Sequence, residues 1–368
     1  MANEKYAFNE LTVLQYVFFI HGTQVGIGVL SMPRELAEEA GTDGWISILI
    51  GWVFATVASL LIVNIMKRYP GKTIVDLIPV FFGKWLGMVV SALVACYCAL
   101  AAMTVVASGI GIVNVWILSQ TPGYVLAILT VIPTYMVVQG GLRVLGRYAE
   151  LIFYLTLWMP IVIFSILPYS NWLHLLPVLK EGWMPVFSAT KSTILSFLGF
   201  ELAFFLYPFL QRKQYASLGI VVANTLSMLI FMHITVFSFS FFSPDEITQY
   251  TWPTLNLWKV IEYRFLERID IIFLAFYLFF LSTTTLPYIY FTVFTTSQMV
   301  GSADHRKHLF ILMILIVVGA WLYTPTFIDL KKWSEVWSMT GIVGGYIIPV
   351  IWWLAIQLFR RGKGGQKG

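Results

Sequence analysis

Charge is what this chain lacks. Asp, Glu, Lys and Arg make up 11% of its 368 residues, against 59% hydrophobic and 17% aromatic. A soluble domain of that length has too little polar surface to cover so much apolar material, so the composition argues for an integral membrane protein. Cysteine is nearly absent. Cys96 and Cys98 stand two positions apart, where a helix points them to different faces, which argues against a disulfide between them. There is no P-loop, no His/Cys metal cluster and no nucleophile arrangement with convincing spacing, so neither an enzyme nor a cofactor is expected. Nor is there a cleavable signal peptide: Glu4, Lys5 and Glu10 occupy the N-terminus and no small-residue cleavage site follows. The net charge of +5 sits mainly in short loops and reads as membrane orientation, not nucleic-acid binding.

Long apolar runs take the place of charge. They are about 20 residues long and do not alternate as barrel strands do, which predicts an all-α membrane protein. Ten transmembrane helices are expected, at about 11–39, 45–67, 84–118, 124–138, 144–167, 189–210, 216–242, 269–300, 309–323 and 334–359. A short segment at 73–82 belongs at the interface. Connections fall at 168–188 and 243–268, within one transmembrane domain over 1–368. Lys and Arg are roughly twice as frequent on one side of these crossings, which places both termini in the cytoplasm.

The first run is interrupted where a membrane helix should be most regular. His21-Gly22-Thr23-Gln24-Val25-Gly26-Ile27-Gly28-Val29-Leu30 puts three glycines and polar side chains at mid-membrane. Glycine weakens a helix interior by about 1 kcal/mol relative to alanine. Freed backbone groups are tolerated in hydrocarbon only where protein, a cavity or a ligand meets them. N–H groups at the new helix start suit a carboxylate, and carbonyls of Thr23, Gln24 and Val25 suit an ammonium. Packing glycines are the alternative, since Gly22 and Gly26 have GxxxG spacing. Five spans later, Phe197-Leu198-Gly199-Phe200-Glu201 sets a glycine beside an acid at comparable depth. Five is odd, so the halves 11–167 and 189–359 have opposite topology, and paired interruptions in inverted halves point to a transporter-type site.

The candidate ligand-binding residues are Thr23, Gln24, Val25, Gly26, Ile27, Gly28, Leu198, Gly199, Phe200 and Glu201, with Tyr97 and Ala101 from one face of the third span. Glu201, inside an apolar run, costs about 3 kcal/mol on insertion scales. It is a candidate proton site or a structural cap on the break. Thr283 and Thr284 lie just before Leu286-Pro287 and are candidate cation ligands or back-bonded hydroxyls around a proline kink.

Residues 22–30 and 197–201 resemble the signatures of amino-acid permeases of the amino acid/polyamine/organocation superfamily. Together with Leu30-Ser31-Met32-Pro33-Arg34, Trp252-Pro253-Thr254-Leu255 and Leu266-Glu267-Arg268-Ile269-Asp270, they resemble the B subunits of spore germination receptors (GerAB type) along essentially the whole chain. The resemblance implies a LeuT-like fold, a 5+5 inverted repeat with helices 1 and 6 broken. It also implies a receptor in the inner spore membrane that binds a small germinant, often an amino acid, and partners A-type and C-type subunits. The ligand carboxylate would meet the backbone of Ile27, Gly28 and Val29. Its amino group would meet carbonyls of Thr23–Val25 and those just before Gly199. One departure is that span five carries no lysine, where some proton-coupled permeases have one. An amino-acid secondary transporter driven by protons or sodium, and an ion or water conduit, are the rival functions.

Overall fold

The computed structural model describes residues 10–302 and 304–364, with side chains to residue 357. Lys5 and Lys367, and the side chains of Arg360, Arg361 and Lys363, all counted above for orientation, lie outside the described part. The main helices are α1 (Val13–Gln24), α2 (Gly28–Ala40), α3 (Gly44–Met66), α4 (Ile74–Trp116), α5 (Gly123–Val138), α6 (Leu142–Thr156) and α7 (Trp183–Ser196). They continue with α8 (Ala216–Phe241), α9 (Pro253–Val260), α10 (Ile269–Met299), α11 (Arg306–Leu322), α12 (Phe327–Ile342) and α13 (Ile348–Gly364). Between α7 and α8 the chain makes short helical turns over Phe200–Leu202, Ala203–Leu206 and Tyr207–Phe209.

Local sequence sets the helix ends. Thr12 and Gln15 open α1 with a reciprocal capping box, each side chain accepting the other's backbone N–H at 3.2 Å. Thr73 with Asp76 opens α4 in the same way, and Thr326 with Asp329 opens α12. Gly83, at φ +73°, kinks α4 and sets its first turns off from the long remainder. Among the described residues there is no sheet, only two isolated β-bridges. One matters for the architecture. Leu11 donates to the Phe209 carbonyl at 2.8 Å and accepts from Gln211 N at 3.1 Å. The start of the first helix is thereby stitched to the end of the turns that follow α7.

The expectation of ten transmembrane helices in a LeuT-like 5+5 inverted repeat is overturned. Among the described residues six helices are long and apolar enough to cross a membrane: Gly28–Met66, Ile74–Trp116, Leu142–Tyr169, Lys213–Phe241, Ile269–Met299 and Phe327–Gln357. A seventh is added if Trp183–Ser196 and Phe200–Phe209, bent by 44°, count as one. The reason is length. With 12, 16 and 17 residues, α1, α5 and α11 rise about 18–26 Å, short of a hydrocarbon core of about 30 Å. In addition, α2 and α3 run together as one stretch joined by the single turn Gly41–Asp43. Counting apolar runs separates what the backbone joins and credits helices that are too short. The chain is nonetheless a multi-pass, all-α membrane protein.

α1, α8 and α10 form the centre, and α4 packs along α10. The outer faces stay apolar, with Val53, Phe54 and Val57 of α3 exposed to what is lipid in this setting. Lipid tails are as apolar as leucine, so contact between helices comes from close packing and hydrogen bonds. The α3–α7 seam uses both. Ser47 Oγ donates to the Val186 carbonyl at 2.8 Å and Thr193 Oγ1 donates to the Ser47 carbonyl at 2.9 Å. Gly51 lets the helices approach there, because a Cβ on it would lie 2.8 Å from Thr193 Cβ. Gly51→Val should therefore cost about 1–3 kcal/mol through overpacking. Gly319→Ala, with no atom within 4 Å of the added Cβ, should leave stability unchanged or raised. Thermal unfolding in detergent checks the pair, and equal midpoints for Gly51→Val and the wild type would contradict a closed seam.

Candidate functional site

The first interruption begins where Val25 leaves helical geometry at φ −82°, ψ 66°. Val25 N still reaches the His21 carbonyl at 3.1 Å, and Gly26 N turns back to the Gln24 carbonyl at 2.9 Å. Beyond that the N–H groups of Ile27, Gly28 and Val29 have no acceptor among the described residues. These are the orphan donors of a helix start, carrying the positive end of the α2 dipole. On the opposite side, the carbonyls of Thr23 and Val25 have no donor among the described residues. Neighbouring helices hold the other carbonyls. Thr283 and Thr284 hydroxyls reach Gly22 O at 3.1 and 3.0 Å, Tyr277 OH donates to Gly26 O at 2.8 Å, and Thr254 Oγ1 donates to Val29 O at 2.9 Å.

The second interruption packs directly on the first. Gly199 adopts φ +124°, and a Cβ there would lie 3.0 Å from Gln24 N and 3.1 Å from the carbonyl carbon of Thr23. Glycine is required on both counts, for the backbone angle and for the approach. Glu201 caps this break. Its Oε2 accepts the Gly199 N–H at 2.6 Å, and its Oε1 accepts the hydroxyls of Tyr97 and Tyr288, both at 2.7 Å. All three partners are donors, so the carboxyl, 6% exposed, is an acceptor on every side. At a net worth of about 1 kcal/mol each, three hydrogen bonds are comparable with the cost of about 3 kcal/mol for placing an acid at this depth.

A buried polar ladder joins the two breaks to the bundle. Gln24 Nε2 donates to the Phe197 carbonyl at 2.9 Å and to Asn224 Oδ1 at 2.7 Å, while Gln24 Oε1 accepts from Ser227 Oγ at 2.7 Å. Asn224 Nδ2 then reaches Ser59 Oγ at 2.9 Å, and His21 Nδ1 lies 2.9 Å from Ser227 Oγ. Every polar atom of the Gln24 amide thus bonds to protein, which fixes its orientation. From the other side, α12 closes over the second break. Gly341 lies against Leu198, Gly345 sits in a π-helical turn (Val343–Ile347) beside Phe200 and Glu201, and Tyr346 OH donates to the Ile194 carbonyl at 2.9 Å.

The structure brings Thr23, Gln24, Val25, Gly26, Leu198, Gly199, Phe200, Glu201 and Tyr97 into this one region, with Thr283 and Thr284 on the Gly22 carbonyl. Thr23 is turned to its own helix, donating to the Phe19 carbonyl at 2.7 Å. Ala101 is fully buried on α4, one turn from Tyr97. Gly28 faces Ser196 of α7. A cavity of about 660 Å³ is lined by Ile27 alone of all these residues. A small apolar one of about 70 Å³ is lined by His21 and Val25. Sequence reasoning missed Asn224, Ser59, Tyr277, Tyr288 and Thr254. Asn224, a lone amide in an apolar helix, carried a usable signal, whereas the two tyrosines needed the rotation of α10. Among the described residues no group of His, Cys, Asp and Glu could hold a metal ion.

The family described as "Spore germination protein" matches residues 10–328. The spore germination protein GerQB of Bacillus cereus is 27% identical over 346 residues, covering 91% of this chain and 93% of that protein. YndE of Bacillus subtilis, also named a spore germination protein, is 32% identical over 262 residues, covering 69% of this chain and 70% of its own. Spore germination protein A2 of B. subtilis is 25% identical over 368 residues and covers 96% and 97%. Among solved structures, Mhp1, a nucleobase-cation-symport-1 family transporter in a closed conformation with bromovinylhydantoin bound, superposes with a TM-score of 0.53 at 9% identity. It covers 92% of this chain and 76% of that one. At that identity the likeness is one of fold.

The Glu201 cap makes a direct prediction. Glu201→Gln keeps the volume but replaces one acceptor oxygen with a donor, so either Gly199 N–H faces an amide N–H or both tyrosine hydroxyls give up their acceptor and must turn to accept from the amide. A loss of about 1–3 kcal/mol is expected, and Tyr97→Phe, which removes one bond of the three, should cost less. Unfolding midpoints of the two variants in detergent decide it. A Glu201→Gln protein as stable as wild type would remove the cap.

Proposed function

The chain belongs to the spore germination protein family, and on that premise we propose that it is the B-type membrane subunit of a germinant receptor. It binds a small germinant, an amino acid by class, between the two helix breaks. The observation that carries the reading is the pairing of orphan groups there. The N–H groups of Ile27, Gly28 and Val29 offer a carboxylate its donors, and the Thr23 and Val25 carbonyls offer an ammonium its acceptors. Gln24, Gly199 and Glu201 fix the two breaks against each other, and Tyr97 stands over them from α4. In this reading the subunit sits in the inner spore membrane with cytoplasmic termini and passes its change of state to A-type and C-type partners. A ligand biases such a switch only through its differential affinity for the two arrangements. Thr283 and Thr284 are the candidate cation ligands. Both hydroxyls already face the Gly22 carbonyl, so a cation there would exchange those hydrogen bonds for its own coordination.

A second reading, an amino-acid secondary transporter, is favoured by the fold shared with a symporter. The two separate in liposomes. A transporter accumulates substrate unaided on a proton or sodium gradient, whereas a receptor subunit alone does not.

The pocket itself is tested at Gly26. A side chain there would press on Thr284, whose Oγ1 lies 3.1 Å and Cγ2 3.3 Å from an added Cβ. In spores carrying Gly26→Leu at normal protein level, the germination dose–response should shift by at least about tenfold, which is about 1.4 kcal/mol of lost affinity. An unaltered dose–response in a well-expressed variant would falsify the assignment.

A further inference from the structure

The 660 Å³ cavity does not lie between the breaks. It lies between α2, α4, the end of α11 and the start of α12, and meets the first break only at Ile27. Its volume is in the range of small-molecule sites, and its walls are largely apolar and aromatic, with Trp252, Phe327 and Trp333 among them. Trp252 and Phe327 meet edge to face at 6.2 Å, which gives one end a preformed aromatic corner.

Four charges line this cavity: Arg34, Glu35, Glu38 and Lys331. Two of them satisfy each other, Arg34 Nε on Glu38 Oε1 at 2.6 Å. The other two do not. Glu35 Oε1 accepts the Ser31 hydroxyl at 2.8 Å, and no donor reaches its Oε2 among the described residues. Lys331, exposed on the first turns of α12, lines the same cavity. Yet the ion pairs found among the described residues are Arg34–Glu38 and Arg268–Asp270 alone. A carboxyl and a lysine amine therefore line one cavity without an ion pair between them, beside an aromatic wall. A zwitterion fits that arrangement, with each end meeting its opposite and an apolar body against the rings.

We propose that this cavity is a second binding site, for a small zwitterion with an apolar body, its ammonium on Glu35 and its carboxylate on Lys331. The proposal stands apart from the reading of the helix breaks and does not require it. Two sources share the chemistry, a free amino acid and a zwitterionic lipid headgroup.

The test uses the full chain in lipid discs of phosphatidylglycerol, with L-phenylalanine as probe and binding read by calorimetry. Saturable binding to the wild type is expected. Glu35→Gln and Lys331→Met should each weaken it at least tenfold. Gly111→Leu should block it, because the added side chain grows toward Leu330 across the cavity from a Cβ with 3.8 Å of clearance. Gly26→Leu should leave it intact. Phenylalanine methyl ester, which lacks the carboxylate, should be insensitive to Lys331→Met and still sensitive to Glu35→Gln. That split is one a merely unfolded variant does not produce. Loss of the probe's affinity when phosphatidylethanolamine is added to the discs would assign the natural occupant to a lipid headgroup at the same site. Wild-type affinity in Glu35→Gln and Lys331→Met, absence of saturable binding to the wild type, or loss of all binding in Gly26→Leu would each overturn the second site. The last of these would do so while leaving the pocket between the breaks standing.

Discussion

A backbone group inside a membrane has to find a partner, and this structure is organised around the few that a helix cannot supply. Where α1 stops at Gln24 and α2 starts at Gly28, the chain leaves helical hydrogen bonding for three residues. The surrounding bundle answers from four directions. α10 brings Tyr277, Thr283 and Thr284 to the carbonyls, α9 brings Thr254, α8 brings Asn224 and Ser227 to Gln24, and the second break lays Gly199 on the backbone itself. The central position of α1, α8 and α10 follows, since these are the elements that must reach the interruption. The longer outer helices meet lipid and have simpler demands.

The groups left over are then informative. Several freed carbonyls nearby are tied down, while three adjacent N–H groups and two carbonyls have no partner among the described residues. Orphan groups in hydrocarbon cost several kcal/mol each unless something meets them. Their clustering at one spot, beside a capped acid, is what the proposed site rests on. Glu201 serves the same economy, for it supplies the acceptor that Gly199 N–H lacks and draws α4 and α10 together through two tyrosines.

Much of this was legible in the residues, and the division between what was and was not has a physical basis. Glycines at 22, 26 and 28 and at 199 stand out because each weakens a helix where weakening is costly, and Glu201 stands out because a carboxylate does not enter hydrocarbon without cause. Tyr97 could be found from its helical face. Tyr288 and Tyr277 could not, because aromatic residues are common along α10 and only its rotation selects which of them reach a neighbour. Gln24 reads from sequence as a ligand contact, yet its amide bonds throughout to Phe197, Asn224 and Ser227, residues from two other parts of the chain. The number of membrane-length helices was misjudged for a different reason. The stretch 11–39 reads as one span interrupted near Val25–Gly28, whereas the structure has a short α1 and an α2 that runs on into α3 across Gly41–Asp43.

The stitch between Leu11 and the segment 209–211 bears on how the centre can move. It pins the beginning of one interrupted helix to the end of the other, and Gly199 against Thr23 and Gln24 pins them a second time, twelve residues further along the first. Two bodies held at two points retain one easy degree of freedom, a rotation about the line joining those points. Sliding or separation would break backbone contacts at both ends. Any rearrangement of the breaks that preserves them is thus a twist about a fixed axis, and what such a twist changes most is the spacing of groups far from that axis, on α2 and on the turns after Glu201.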